Sequence, residues 1–113
     1  MSESSRLKAG LRASAILRTA AQQGLSAMRL RRGDEDAGSL VLVLRHRDGR
    51  VMVISETRDA EGVPAWMRVS GEQPVDEEAA AACVDRRVRQ DPDLWVLETE
   101  TTDFSPPSGG RLL

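Results

Sequence analysis

Aromatic side chains are scarce: two tryptophans, one phenylalanine and no tyrosine in 113 residues. That scarcity excludes the platforms that stack nucleic-acid bases on aromatic rings. It also excludes a surface that recognises partners mainly through tyrosine and tryptophan. A single cysteine, Cys83, rules out an internal disulfide and suits a reducing compartment. "MSESSRLKAG" lacks the apolar centre of a signal peptide, and the longest strongly apolar run, "SLVLVL", is too short to span a bilayer. A cytoplasmic protein without membrane contact is expected. Phosphate loops, dinucleotide fingerprints, zinc spacings and nucleophile elbows are all missing.

What is present suits one soluble domain. The length supports a single core, and the 40% apolar and 30% charged fractions are ordinary. The net charge is −2, with Lys8 as the single lysine. Arginines concentrate in the first half, at Arg6, Arg12, Arg18, Arg29, Arg31, Arg32, Arg45, Arg47 and Arg50, whereas the stretch from Ser55 on is net acidic. The core must come from Leu, Val, Ala, Met and Ile.

"SRLKAGLRASAILRTAAQQG" has apolar residues at helical spacing, with Ser4 or Ser5 as a cap and Gly24 as its end. In "SAMRLRRG" the period becomes two. Met28 and Leu30 are expected on a buried face, and Arg29 and Arg31 on a wet one. "GDEDAG" turns the chain into "SLVLVLRHRDGRVMVIS", a second hairpin closed at Asp48-Gly49 by a two-residue type I′ turn. "PAWMRVSG" is a fourth strand at an edge, with Trp66 exposed there. "EQPVDEEAAAACVDRRVRQDP" is a second helix capped by Asp76 and stopped by Pro92. "DLWVLETE" follows as a strand within the sheet, with Trp95 buried between it and the second helix. Residues 104–113 have the composition of a flexible tail on a single domain spanning residues 1–103. The order α-β-β-β-β-α-β predicts an α+β two-layer sandwich. Its sheet is mainly antiparallel, with about five strands and both helices on one face.

"RRGDEDAGSLVLVL" (residues 31–44) and "QDPDLWVLETE" (residues 90–100) resemble the signature segments of a small alphaproteobacterial family known only as a domain of unknown function. Its members share Arg-Arg-Gly-Asp-x-Asp-Ala-Gly, then Asp-Pro-Asp-Leu-Trp near the end. The first helix, with "LKAGLRASAILR", follows the same pattern. The resemblance implies a bacterial cytoplasmic protein and carries no activity with it.

Three functions compete. The leading expectation is a small interaction or accessory module without catalysis or cofactor, binding a protein partner or itself. Its candidate surface is Arg29, Arg31, Arg32, Arg45, Arg47 and Trp66. The alternative is nucleic-acid binding through phosphate contacts from those arginines. The third is a metal-dependent enzyme in which Asp34 and Asp36 supply oxygen ligands, with His46 as a general base. The bland reading of Asp34 and Asp36 is a loop whose carboxylates bond backbone N–H groups and pair with arginine. That of His46 is a solvated strand end, and that of Cys83 a small core residue.

Overall fold

A computed structural model describes residues 7–113. Helices α1 (Ala9–Gln22) and α2 (Glu77–Gln90) accompany six strands: β1 (Ala27–Arg31), β2 (Leu40–His46), β3 (Val51–Arg58), β4 (Pro64–Arg68), β5 (Trp95–Thr101) and β6 (Arg111–Leu112). The strands form one sheet in the order β1-β5-β2-β3-β4-β6. Two pairs, β2–β5 and β4–β6, are parallel, and the other three are antiparallel. The fold is α+β, with a mixed sheet one strand larger than expected.

The helices lie on opposite faces, which corrects the expected two-layer sandwich to three layers. The reason is visible in β2. Its leucines, Leu40, Leu42 and Leu44, pack with Ala9, Ala13 and Ile16 of α1. Its valines, Val41 and Val43, pack with Ala80 and Cys83 of α2. Successive side chains on a strand point to opposite faces, so a strand apolar at every position needs cover on both sides. Trp95 and Leu97 of β5 join the α1 side, while Leu94 and Val96 join the α2 side. Trp95 therefore packs beneath α1, which corrects the expected position between the sheet and α2.

The "GDEDAG" segment does not close a hairpin. β1 pairs with β5, so the loop after it crosses the start of β5 to reach β2. This loop caps α1. The expected caps, Ser4 and Ser5, lie outside the described residues; the helix begins at Ala9, and the side chain of Lys8 at its N-cap makes no capping hydrogen bond. Instead the first amides donate to loop carbonyls, Ala9 N–H to Asp36 at 3.3 Å and Gly10 N–H to Glu35 at 3.0 Å. That satisfies two donors a helix end leaves unpaired. At the other end Gly24 has φ +77°, and the Leu25 and Gly24 amides donate to Ala20 and Ala21 in a Schellman closure. Asp76 caps α2 as expected, accepting from Ala79 N–H at 2.8 Å. Arg12 ties α1 to β3 by a two-pronged pair with Glu56, at 3.0 and 2.9 Å.

The turn between β2 and β3 also differs from expectation. Gly49 has φ +96° and donates to His46 O, while Asp48 has no positive φ. His46 N–H then donates to Arg50 O at 2.9 Å. This is a three-residue loop, a type I turn followed by a left-handed glycine, and not a type I′ turn.

Residues 104–113 are drawn onto the sheet, where a tail was expected. β6 pairs with β4, and the Leu113 amide donates to Trp66 O at 2.7 Å. β4 is thus not the edge, and Trp66 is only 6% exposed. No helix of the described residues is long and apolar enough to cross a membrane.

Candidate functional site

The expected arginine cluster is dispersed. Met28 sits opposite Glu98 and Arg29 opposite Leu97, but the register slips between Arg29 and Arg31, so Arg31 opposes Val96. Leu97 belongs to the α1 side and Val96 to the α2 side. The bulge therefore sends Arg29 and Arg31 to opposite faces. Arg45 lies on the α2 side, paired with Glu77 and, at 2.8 Å, with Glu98. Arg47 is exposed in the turn beyond β2. Arg32 pairs with Glu35 at 3.5 Å. Trp66, expected as an exposed anchor, is buried by the C-terminal segment.

Asp34 and Asp36 do not point into a common site. Asp34 Oδ2 accepts from the amides of Asp36 (3.1 Å) and Ala37 (2.7 Å), and Asp36 pairs with Lys8 at 3.5 Å. Among the described residues no three His, Cys, Asp or Glu side chains gather to hold a metal ion. The loop is instead locked onto Trp95, whose Nε1–H donates to Asp34 O at 2.7 Å. A β-carbon at Gly33 or Gly38 would lie 2.7 or 2.8 Å from the indole Cδ1 and nearer still to the Asp93 carbonyl. Both glycines are there because indole and backbone take up that space. The two segments singled out in the sequence, "RRGDEDAG" and "DPDLW", are thus halves of one structural lock.

His46 Nδ1 accepts from Asp48 N–H at 3.1 Å, and the ring stacks on Phe104 with centroids 5.4 Å apart. No nucleophile accompanies it in that contact set. Cys83 is buried, and burial pushes its thiol above the ordinary 9.0 against the pull of Arg86 and Arg87. A thiol held protonated is a poor nucleophile.

The site that sequence reasoning missed is the free edge of the sheet. Among the described residues β1 pairs on one side only, with β5. α1 packs against β1 and β5 on one face, whereas α2 on the other face contacts β3. The α2 side of β1 is therefore only partly covered. Met28 and Leu30, expected in the core, are 53% and 50% exposed. Alternation in the sequence identified their common face correctly, but only the placement of α2 decides whether that face is covered. Between β1 and α2 run two adjoining depressions of about 190 and 410 Å³, both lined by Leu30, Val84 and Asp85. Val43 and Ala80 line the first, and Val88 and Val96 the second. Arg45 with Glu77 lines one end and Arg31 with Arg89 the other.

Residues 7–108 match the model of a family described as a protein of unknown function, DUF1491. The fold is similar to the crystal structure of a DUF1491 family protein from Caulobacter crescentus CB15, with a TM-score of 0.83 and 28% identity over 96% of this chain and 100% of that one. An NMR structure of a DUF1491 family protein from the same organism has a TM-score of 0.79 at 28% identity, covering 93% and 96%. The solution structure of protein Atu0922 from A. tumefaciens has a TM-score of 0.77 at 28% identity, covering 90% and 92%. No curated protein matches the chain.

Proposed function

We propose that this chain, which belongs to the DUF1491 family of proteins of unknown function, is a non-catalytic interaction module that takes up an extended segment of a partner protein along β1. One observation carries the proposal: two half-exposed apolar side chains, Met28 and Leu30, stand on an edge strand beside an apolar groove. An edge strand offers the N–H and C=O groups of its open side to an added strand, and neighbouring pockets choose its side chains. The edge is otherwise guarded. It is five residues long, bulged, and carries Arg29 and Arg31, all devices that discourage indiscriminate pairing. Met28 and Leu30 are what that guard leaves open.

Charge narrows the partner. β1 bears two arginines and no acid, and Arg32 follows directly. The complementary segment alternates acidic residues, facing Arg29 on the α1 side, with apolar residues facing Met28 and Leu30 on the α2 side. A single cysteine, buried as a free thiol, supports a reducing, cytoplasmic setting for the module.

The test is selection of displayed peptides on the folded protein, followed by binding measurements on Leu30→Asp. Enriched peptides should show that alternation and no internal proline, and should bind the variant at least about tenfold more weakly, the scale for an interface anchor. Peptides without the alternation, or with equal affinity for the variant, would refute it.

A further inference from the structure

The opposite face of β1 holds a second site of different chemistry. Between α1, β1 and the loop after β1 lies a cavity of about 460 Å³. Ser14 and Leu17 of α1 line one wall, Arg29 of β1 another, and Arg32 and Glu35 of the loop a third, with Trp95 below. Its volume is within the range of small-molecule sites.

The cavity has a structural cause. α1 presents Gly10 and Ala13 here, so little fills the space beneath it. The Glu35 carboxylate occupies the position a β-carbon on Gly10 would need, at 2.5 Å. Held there, Glu35 draws Arg32 across the opening, at 3.5 Å. Two guanidinium groups and one carboxylate leave one net positive charge over the cavity. Arg29 and Ser14 have no charged or side-chain hydrogen-bonding partner among the described residues, so a fork of N–H donors and a hydroxyl remain available.

We propose that this cavity binds a small organic oxyanion, a carboxylate or a phosphate monoester, held by the guanidinium of Arg29 and the hydroxyl of Ser14. Planar guanidinium groups take two oxygens of such anions at once. Glu35 repels a second negative charge, which favours a carboxylate, or the monoanion of a phosphate monoester over its dianion. Leu17 and the indole edge of Trp95 receive the apolar body of the ligand. Arg32, held by Glu35, closes the rim. The site shares Arg29 with the docking edge but not Leu30, which points to the other side of β1.

The chain supplies its own reporters, since it has only two indole N–H groups, at Trp66 and Trp95. The ¹H–¹⁵N spectrum of the full chain is followed during titration with inorganic phosphate and, separately, with benzoate, against sodium chloride at matched ionic strength. The Trp95 indole resonance should move saturably with at least one probe while that of Trp66 stays still. Movement with phosphate alone assigns phosphate-bearing ligands, movement with benzoate alone assigns carboxylates, and movement with both assigns the wider class. Arg29→Ala should weaken the apparent affinity at least about tenfold, the scale of a lost charge-assisted bond, with an unshifted Trp66 resonance showing that the variant is folded. Leu30→Asp should leave the titration unchanged. A Trp95 resonance that neither probe moves beyond the chloride control overturns the proposal. So does a shift that survives Arg29→Ala undiminished.

Discussion

Replacing Trp95 with alanine should cost the fold roughly 3–5 kcal/mol, the range for large aromatics removed from a core. Trp95 is 3% exposed, so nearly all of its area is withdrawn from water. Burying about 150–250 Å² at about 25 cal/mol per Å² gives roughly 4–6 kcal/mol, less what a compact unfolded chain already buries. Its Nε1–H bond to Asp34 O adds about 1 kcal/mol. The loop it locks also caps α1, so the loss should spread to the helix start. The assay is urea denaturation followed by far-ultraviolet circular dichroism, which does not depend on the deleted fluorophore. The glycines supply an internal check. A β-carbon on Gly33 would lie 2.1 Å from the Asp93 carbonyl oxygen, a backbone atom that cannot rotate away. Gly33→Ala should therefore destabilise by about 1–3 kcal/mol or more. Gly38→Ala combined with Trp95→Ala should cost less than the sum of the two, because part of the Gly38 clash is with the indole itself. A loss below about 1 kcal/mol for Trp95→Ala, or strict additivity in the double variant, would refute the lock.

Asp76→Ala should cost about 1 kcal/mol in the same assay by removing the cap on Ala79 N–H. Cys83 gives a pH signature. Its folded pKa is raised, so its contribution is complete below its ordinary 9.0 and is lost as pH rises past that value, where the unfolded chain gives up the proton first. The urea midpoint should accordingly fall between pH 8 and pH 10 more in the parent than in Cys83→Ala; with no tyrosine and one lysine, few other groups titrate there. In a mobility assay at low salt, micromolar protein should not shift generic DNA or RNA, because the arginines divide between two faces, Arg45 is neutralised by Glu77 and Glu98, and the net charge is −2. A shift lost in Arg29→Ala with Arg31→Ala would restore nucleic acid as the first reading.

Much of this fold was legible in the sequence. Gly24 and Asp76 marked the end of one helix and the start of the other through local chemistry that needs no tertiary information. The alternation of "LWVL" by itself separates Leu94 and Val96 from Trp95 and Leu97, the division the two faces of the sheet show. Long-range choices were not legible. "SLVLVL" announces burial on both faces, yet which element covers each face depends on where β5 inserts, and that pairing with β2 is parallel and far away in the chain. The same insertion took β1 away from β2, scattered the arginines and opened the edge. Trp66 was misplaced because a two-residue strand in a Pro- and Gly-rich segment leaves no periodicity to detect. The free edge was written in the sequence as "AMRLR", but only as an amphipathic strand. Its exposure follows from α2 lying over β3.

The most direct test of the docking edge is a photo-crosslinking amino acid placed at Leu30 in the full chain, with the exposed Arg86 of α2 as the comparison site, followed by mass spectrometry after irradiation in cells of the source organism. The account predicts a dominant adduct from position 30 that is absent from position 86. The crosslinked segment of the partner should be extended and should alternate apolar and acidic residues. Equal adducts from both positions, or none from position 30, would contradict it.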